Sequence, residues 1–183
     1  MEIIPERGVA LVHLGQQRAD VETRTGPPVH GPGGRRAVYR TVPSLVIHYH
    51  PDDTVELVEL GHSGRGPETE VWFDGVQLTR RFLDEVVADL HAKGYTSTES
   101  DIGHEFHAGF AVWSMGSLSA VDLEQDGQPG AARDAESDGH DADGRDADED
   151  SEPDDEDADD EDDDYRPVAE GVSVAPYTYF TGP

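Results

Sequence analysis

The sequence predicts an α+β fold, a mostly antiparallel sheet with two helices packed on one face. Three observations point to it. Short apolar runs of strand length recur between turns rich in glycine, proline and aspartate. Two segments alone carry helix signals, and an apolar stretch returns close to the C-terminus after a long acidic run. The resulting order is strand, helix, strands, then strand, helix, strands, then a last strand. That order fits helices laid on one face of an antiparallel sheet and suggests an αββ pseudo-repeat.

The segment from Gly8 to Leu14 reads as a short strand with Val9, Leu11 and His13 on one face, ended by Gly15. A helix is expected from Gln17 to Thr25, with Val21 and Ala19 available for burial, Gly26 as its left-handed stop and Pro27-Pro28 blocking continuation. Three strands follow, at Ala37 to Val42, Leu45 to His50 and Thr54 to Leu60. The last two flank Pro51-Asp52-Asp53 and form a hairpin. The third is apolar on both faces, so it is expected at the centre of a sheet. After a loop at His62 to Glu68, Glu70 to Phe73 is another short strand.

The second helix, Arg80 to Lys93, has Phe82, Val86 and Leu90 at four-residue spacing with Leu83 and Val87 beside them, an apolar stripe of helical period. Thr79 is placed to cap its start and Gly94 to end it. His104 to His107 and Phe110 to Met115 then form strands around Ala108-Gly109. Trp72 and Trp113, both in strands, are expected in the core.

The charge is concentrated. Residues 122–164 hold 23 acidic residues and two arginines, Arg133 and Arg145, with Leu123 as the only large apolar side chain. Such a segment cannot bury enough apolar surface to offset the entropy of ordering it, so it is expected to be a disordered acidic insertion. Residues 1–121 and 165–183 then make a single domain, closed by a strand from Val168 to Phe180. A long loop adds only about 0.6 kcal/mol per doubling of length to the cost of closure, so the insertion is thermodynamically tolerable.

Composition excludes whole classes of function. A formal net charge of -28 disfavours nucleic acid and anionic membrane surfaces as partners and leaves a cationic protein open. There is no cysteine, which removes disulfides, thiolate chemistry and the common zinc sites. No apolar run approaches the roughly 18 residues needed to span a bilayer, and the N-terminus has no basic segment followed by an apolar one. The expected location is cytoplasmic.

The stretch Gly15-Gln16-Gln17-Arg18-Ala19-Asp20-Val21-Glu22-Thr23-Arg24-Thr25-Gly26-Pro27-Pro28 resembles the helix motif that opens BamE-like domains. The glycine, the valine six later, the glycine eleven later and the proline thirteen later carry the resemblance. It implies the related beta-lactamase-inhibitor-protein-like arrangement of helical turns leading into antiparallel strands, and protein binding without catalysis. The chain has no cysteine to lipidate, so an outer-membrane assembly role is not implied. A second set of residues looks like a family of small uncharacterised bacterial proteins. It comprises Glu2-Ile3-Ile4-Pro5 with Gly8, Leu14-Gly15, the Val46 to Leu60 hairpin, Phe73-Asp74-Gly75-Val76, Val172-Ser173-Val174 and Tyr179-Phe180. That resemblance implies an immunity protein for a secreted toxin and no catalytic residues.

Candidate chemistry is weighed residue by residue. His48 and His50 share a strand face, and with His104 and His107 they could meet a zinc or nickel ion if their strands were adjacent. No HExxH helix supports this. Asp52-Asp53 and Asp74 read as turn acids and Asp84-Glu85 as a solvated helix face. Ser114 and Ser117 with His107 and Asp101 lack a GxSxG elbow, and Gly31-Pro32-Gly33-Gly34-Arg35-Arg36 lacks the lysine and the helix of a phosphate loop. No catalytic, cofactor-binding or metal-ligating residue is therefore assigned and no cofactor is expected. The expected function is a small protein-binding domain acting by surface complementarity, an immunity or accessory protein. The alternative is a metal-dependent protein or enzyme using the strand histidines.

Overall fold

A computed structural model describes residues 1–61, 66–124 and 166–181. The expected α+β class is observed. Strands β3 (Arg36–Tyr39), β4 (Ser44–Tyr49), β5 (Val55–Gly61), β8 (Ser97–Ser100), β9 (Gly103–Phe106), β10 (Phe110–Trp113) and β11 (Gly171–Val174) form one sheet in the order β3-β4-β5-β11-β10-β9-β8. Every neighbouring pair is antiparallel. Two small ribbons, β1 (Ile3–Ile4) with β2 (Gly8–Val9) and β6 (Trp72–Phe73) with β7 (Val76–Gln77), lie outside it. Helices α1 (Arg18–Thr25) and α2 (Leu83–Ala92) belong to the core, while α3 (Ala120–Glu124) and α4 (Tyr177–Thr181) are single short turns.

Register explains how seven strands share one core. One row runs unbroken across the sheet through Ala37, Ile47, Val58, Val174, Phe110, Phe106 and Ser97. The parallel row is Tyr39, Leu45, Leu60, Val172, Val112, His104 and Glu99. Both rows lie on one face because strand side chains alternate, and both are buried as far as β10. Val21 of α1 and Leu83, Val86, Val87 and Leu90 of α2 complete the same cluster, so the two helices cover this face together. Phe106 and Phe110 stack at 4.8 Å and Phe73 meets Phe110 edge-on at 5.0 Å, which ties the β6-β7 ribbon to the sheet. The intervening row, Val38, Val46, Glu59, Ser173, Ala111, Glu105 and Thr98, faces away from both helices.

Several boundaries differ from expectation, each for a tertiary reason. The strand expected over Gly8 to Leu14 is only Gly8–Val9. Val9 and Val12 exchange backbone hydrogen bonds at 2.8 and 3.2 Å, so the chain doubles back and buries both valines. Helix α2 begins at Leu83, after Phe82, and not at Arg80. Residues 80–83 are bonded instead to 167–169, through Arg80 N–H to the Ala169 carbonyl, Ala169 N–H to that of Arg81 and Leu83 N–H to that of Pro167. Thr79 therefore caps no helix, and its hydroxyl accepts the Val71 N–H at 3.0 Å. The segment Val168 to Phe180 contributes a strand only at Gly171–Val174, and Tyr177–Thr181 is helical. That strand is central, between β5 and β10. Each half of the sheet is a helix followed by three strands, because the polar Ser97–Ser100 also pairs. The disorder expected for residues 122–164 lies outside the described residues, apart from Asp122 to Glu124, which end α3.

Candidate functional site

The four candidate histidines are not brought together. β4, which carries His48, is separated from β9, which carries His104, by β5, β11 and β10. The alternating register also places these two on opposite faces. His48 Nε2 lies 3.2 Å from Glu59 Oε1, and His50 Nδ1 lies 3.7 Å from Glu56 Oε1. Arg36 also reaches Glu59, at 3.5 Å. Burial works to raise the Glu59 pKa, but His48 and Arg36 outweigh it and hold the carboxyl below its usual range. His104 and His107 lie at the far end of the sheet. His107 contacts Thr96 Oγ1 at 2.8 Å and the Tyr177 ring at 4.7 Å, while burial lowers the His104 pKa. Among the described residues no group of three or more His, Asp or Glu is arranged to hold a metal ion.

The paired acids keep the structural roles their sequence context indicated. Asp52 Oδ1 accepts the Thr54 hydroxyl at 2.6 Å and its N–H at 3.2 Å, and these bonds lower its pKa. Asp53 turns the chain at φ 62° and receives Arg18 Nε at 2.9 Å. Asp84 accepts Arg166 through both oxygens at 2.8 Å. Its slight burial works to raise its pKa, and the guanidinium outweighs that, so the pKa is lowered. Asp74 accepts the Tyr95 hydroxyl at 3.2 Å and pairs with Lys93. Ser114 follows one end of β10, whereas His107 lies beyond the other. The Gly31 to Arg36 loop folds on itself, Gly34 N–H to Gly31 O at 3.0 Å, and its Gly34 carbonyl accepts Arg18 at 2.8 Å.

That last contact belongs to a buried node missed in the sequence. Arg18, 11% exposed at its side chain, binds Asp53 and Gly34 and lies over the Tyr49 ring at 3.8 Å. Beneath it the Tyr39 and Tyr49 hydroxyls meet at 2.7 Å. Burial, foremost, raises the pKa of both phenols, so neither ionises near neutrality. The node clamps α1 onto the β3-β4 end of the sheet.

The surface best suited to binding lies at the sheet end where β10 and β11 meet. Trp113 is half-buried on the face away from the helices, and its Nε1–H donates to Ser173 Oγ at 3.0 Å. A side chain at Gly171 would overlap its ring, so the glycine is what seats the indole there. Trp72 is also outside the core, at the surface of its ribbon with Nε1–H donating to Glu70. The Ser114 N–H bonds the Ile102 carbonyl at 2.8 Å, which places Ser114 opposite Ile102; near it Ile102 and Met115 are 48% and 64% exposed. Glu170, only 5% exposed, accepts the N–H groups of Ser117 and Leu118 at 2.6 and 3.2 Å and anchors the chain that leads into α3. The chain returns at Arg166, whose guanidinium stacks on Phe82 at 3.9 Å. Both roots of the acidic segment are thus fixed by named contacts near this patch. No helix among the described residues is long and apolar enough to cross a membrane. The chain matches no protein-family model, no curated protein and no solved structure.

Proposed function

We propose that the protein is a binding domain for a cationic protein partner, acting by surface complementarity at the end of the sheet that carries Ile102 and Met115. The observation that carries this reading is the exposure of Ile102, in the β8-β9 turn, and of Met115, just after β10, next to the roots of the acidic segment. Large apolar side chains left exposed at one end of a folded domain suit a protein interface. A segment rich in aspartate and glutamate at its border draws a basic partner in and excludes acidic ones. A cytoplasmic immunity or accessory role, in which the domain occupies the partner's own site, agrees with both sequence resemblances.

The experiment titrates purified basic proteins encoded beside this gene against the full chain, following Trp113 fluorescence in a Trp72→Phe background. A true partner binds the unmodified chain and loses at least about tenfold in affinity with Met115→Glu, while the fold is unchanged by circular dichroism. Binding that Met115→Glu leaves intact removes the patch from the interface. Metal analysis of the purified chain tests the competing histidine reading, since a functional site would retain zinc or nickel near one equivalent.

A further inference from the structure

The two edges of the main sheet differ. At the β3 edge, Val38 N–H donates to the His30 carbonyl and the Val38 carbonyl accepts Val29 N–H, so the outward groups of Val38 are paired. At the β8 edge no described strand pairs outward. His107 N–H bonds the Thr96 carbonyl at 2.9 Å, which makes Thr96 and His107 a hydrogen-bonded pair. Antiparallel pairing alternates. With Thr98 opposite Glu105 and Ser100 opposite Gly103, those residues turn their backbone toward β9, and Ser97 and Glu99 turn theirs outward. The N–H and C=O groups of Ser97 and Glu99 are therefore presented as a short open template.

Two hollows border this edge where α2 overhangs it. One, of about 270 Å³, lies by the C-terminal turn of α2 at His91, Tyr95 and Ser97. The other, of about 320 Å³, lies by its first turn at Leu83, Glu99, Asp101 and His104. Between them the Ser97 hydroxyl bridges His91 at 2.9 Å and His104 at 3.4 Å, forming the floor. Glu99 and Asp101 are exposed and make no ion pair among the described residues.

We propose that the outer edge of β8 docks an extended basic segment of a protein partner, which adds as an eighth strand with cationic side chains against Glu99 and Asp101. Alternate residues of such a strand point to one face, so they can enter the two hollows while the backbone bonds Ser97 and Glu99. Charge selects the occupant. A second copy of this chain would bring another net charge of -28 to the same edge, whereas a basic segment is attracted. This goes beyond the proposed function and rests on the β8 backbone edge; of the side chains named there, Ile102 is shared, because it also lines the second hollow.

The test selects binders to the full chain from a displayed library of random ten-residue peptides and measures the winners in synthetic form. Basic peptides are expected to emerge. Their affinity should fall at least about tenfold with Glu99→Pro, which deletes an outward N–H without touching the β9 ladder. Glu99→Gln, which keeps the backbone donor, should cost less and only at low salt. N-methylation of alternate peptide residues should abolish binding with the protein untouched, which covers the case of a misfolded proline variant. Amide exchange at Ser97 and Glu99 should slow in the complex. The proposal is overturned if no selected peptide depends on the Glu99 N–H, if N-methylated peptides bind as well, or if sedimentation shows a dimer of the full chain that Glu99→Pro dissociates.

Discussion

Tyr39 and Tyr49 show what a single atom is worth in this core. Their hydroxyls are fully buried and paired at 2.7 Å, so removing one leaves the other without its partner. Tyr49→Phe should cost about 1–3 kcal/mol, the penalty of stranding a buried hydroxyl. The double variant with Tyr39→Phe should cost less than the sum of the singles, and a double-mutant cycle by urea denaturation measures the coupling. Glu59 gives a pH signature. Its folded pKa lies below the unfolded value of 4.5, so its stabilising contribution is complete above that value and is lost as pH falls through the folded pKa. The stability gap between the unmodified chain and Glu59→Gln should accordingly be open at pH 7 and close in acid below pH 4.5. Tyr39, Tyr49 and Glu59 were all visible in the sequence as strand residues. Their partners were not, because Glu59 meets His48 only through the β4-β5 register.

At the scale of elements, α2 is the case in which periodicity sufficed. Leu83, Val86, Val87 and Leu90 are all buried, and Phe82 sits at the margin of the stripe as its spacing indicated. Leu90→Ala should cost about 2–5 kcal/mol through lost burial and the cavity left behind. Asp89→Ala, which breaks only an exposed pair with Arg81, should cost under about 1 kcal/mol. Chemical denaturation of the two variants checks the contrast. Strand β11 is the opposite case. Alternation at Val172-Ser173-Val174 marked it as a strand, but nothing local placed it at the centre of the sheet. Because it joins β5 to β10, a chain ending before Arg166 loses the only strand between two three-stranded halves. That product should show no cooperative unfolding transition by calorimetry, a harsher outcome than the loss of an edge. Strand β8 escaped notice because Ser-Thr-Glu-Ser carries no apolar alternation, and it becomes a strand only through its pairing with β9.

Across the whole molecule, the main tension lies between a conventional folded domain and its acidic segment. Residues 125–165 contain 21 acidic residues and two arginines and no large aliphatic side chain. Replacing them with a short glycine-serine linker should leave the thermal midpoint nearly unchanged at physiological salt. At low salt the linker form should be equal or more stable, because its net self-repulsion is smaller. A scan of midpoint against salt for both forms tests this. A large loss of stability in the linker form at physiological salt would mean that the segment packs on the domain.

The sequence by itself determined the α+β class, the two core helices, the β4-β5 hairpin and the concentration of charge. All of these rest on residues within a few positions of one another, where spacing alone sets which side chains share a face. Tertiary structure decided the central place of β11, the late start of α2 and the separation of the candidate histidines onto opposite faces of the sheet. It also decided the Arg18 clamp and the half-buried seat of Trp113 on the face away from the helices. Each of these depends on hydrogen bonds or contacts between segments far apart in the chain, such as Arg80 with Ala169 or Trp113 with Ser173. Local spacing cannot specify such pairings, because a strand's neighbours are chosen by which apolar rows close one core together.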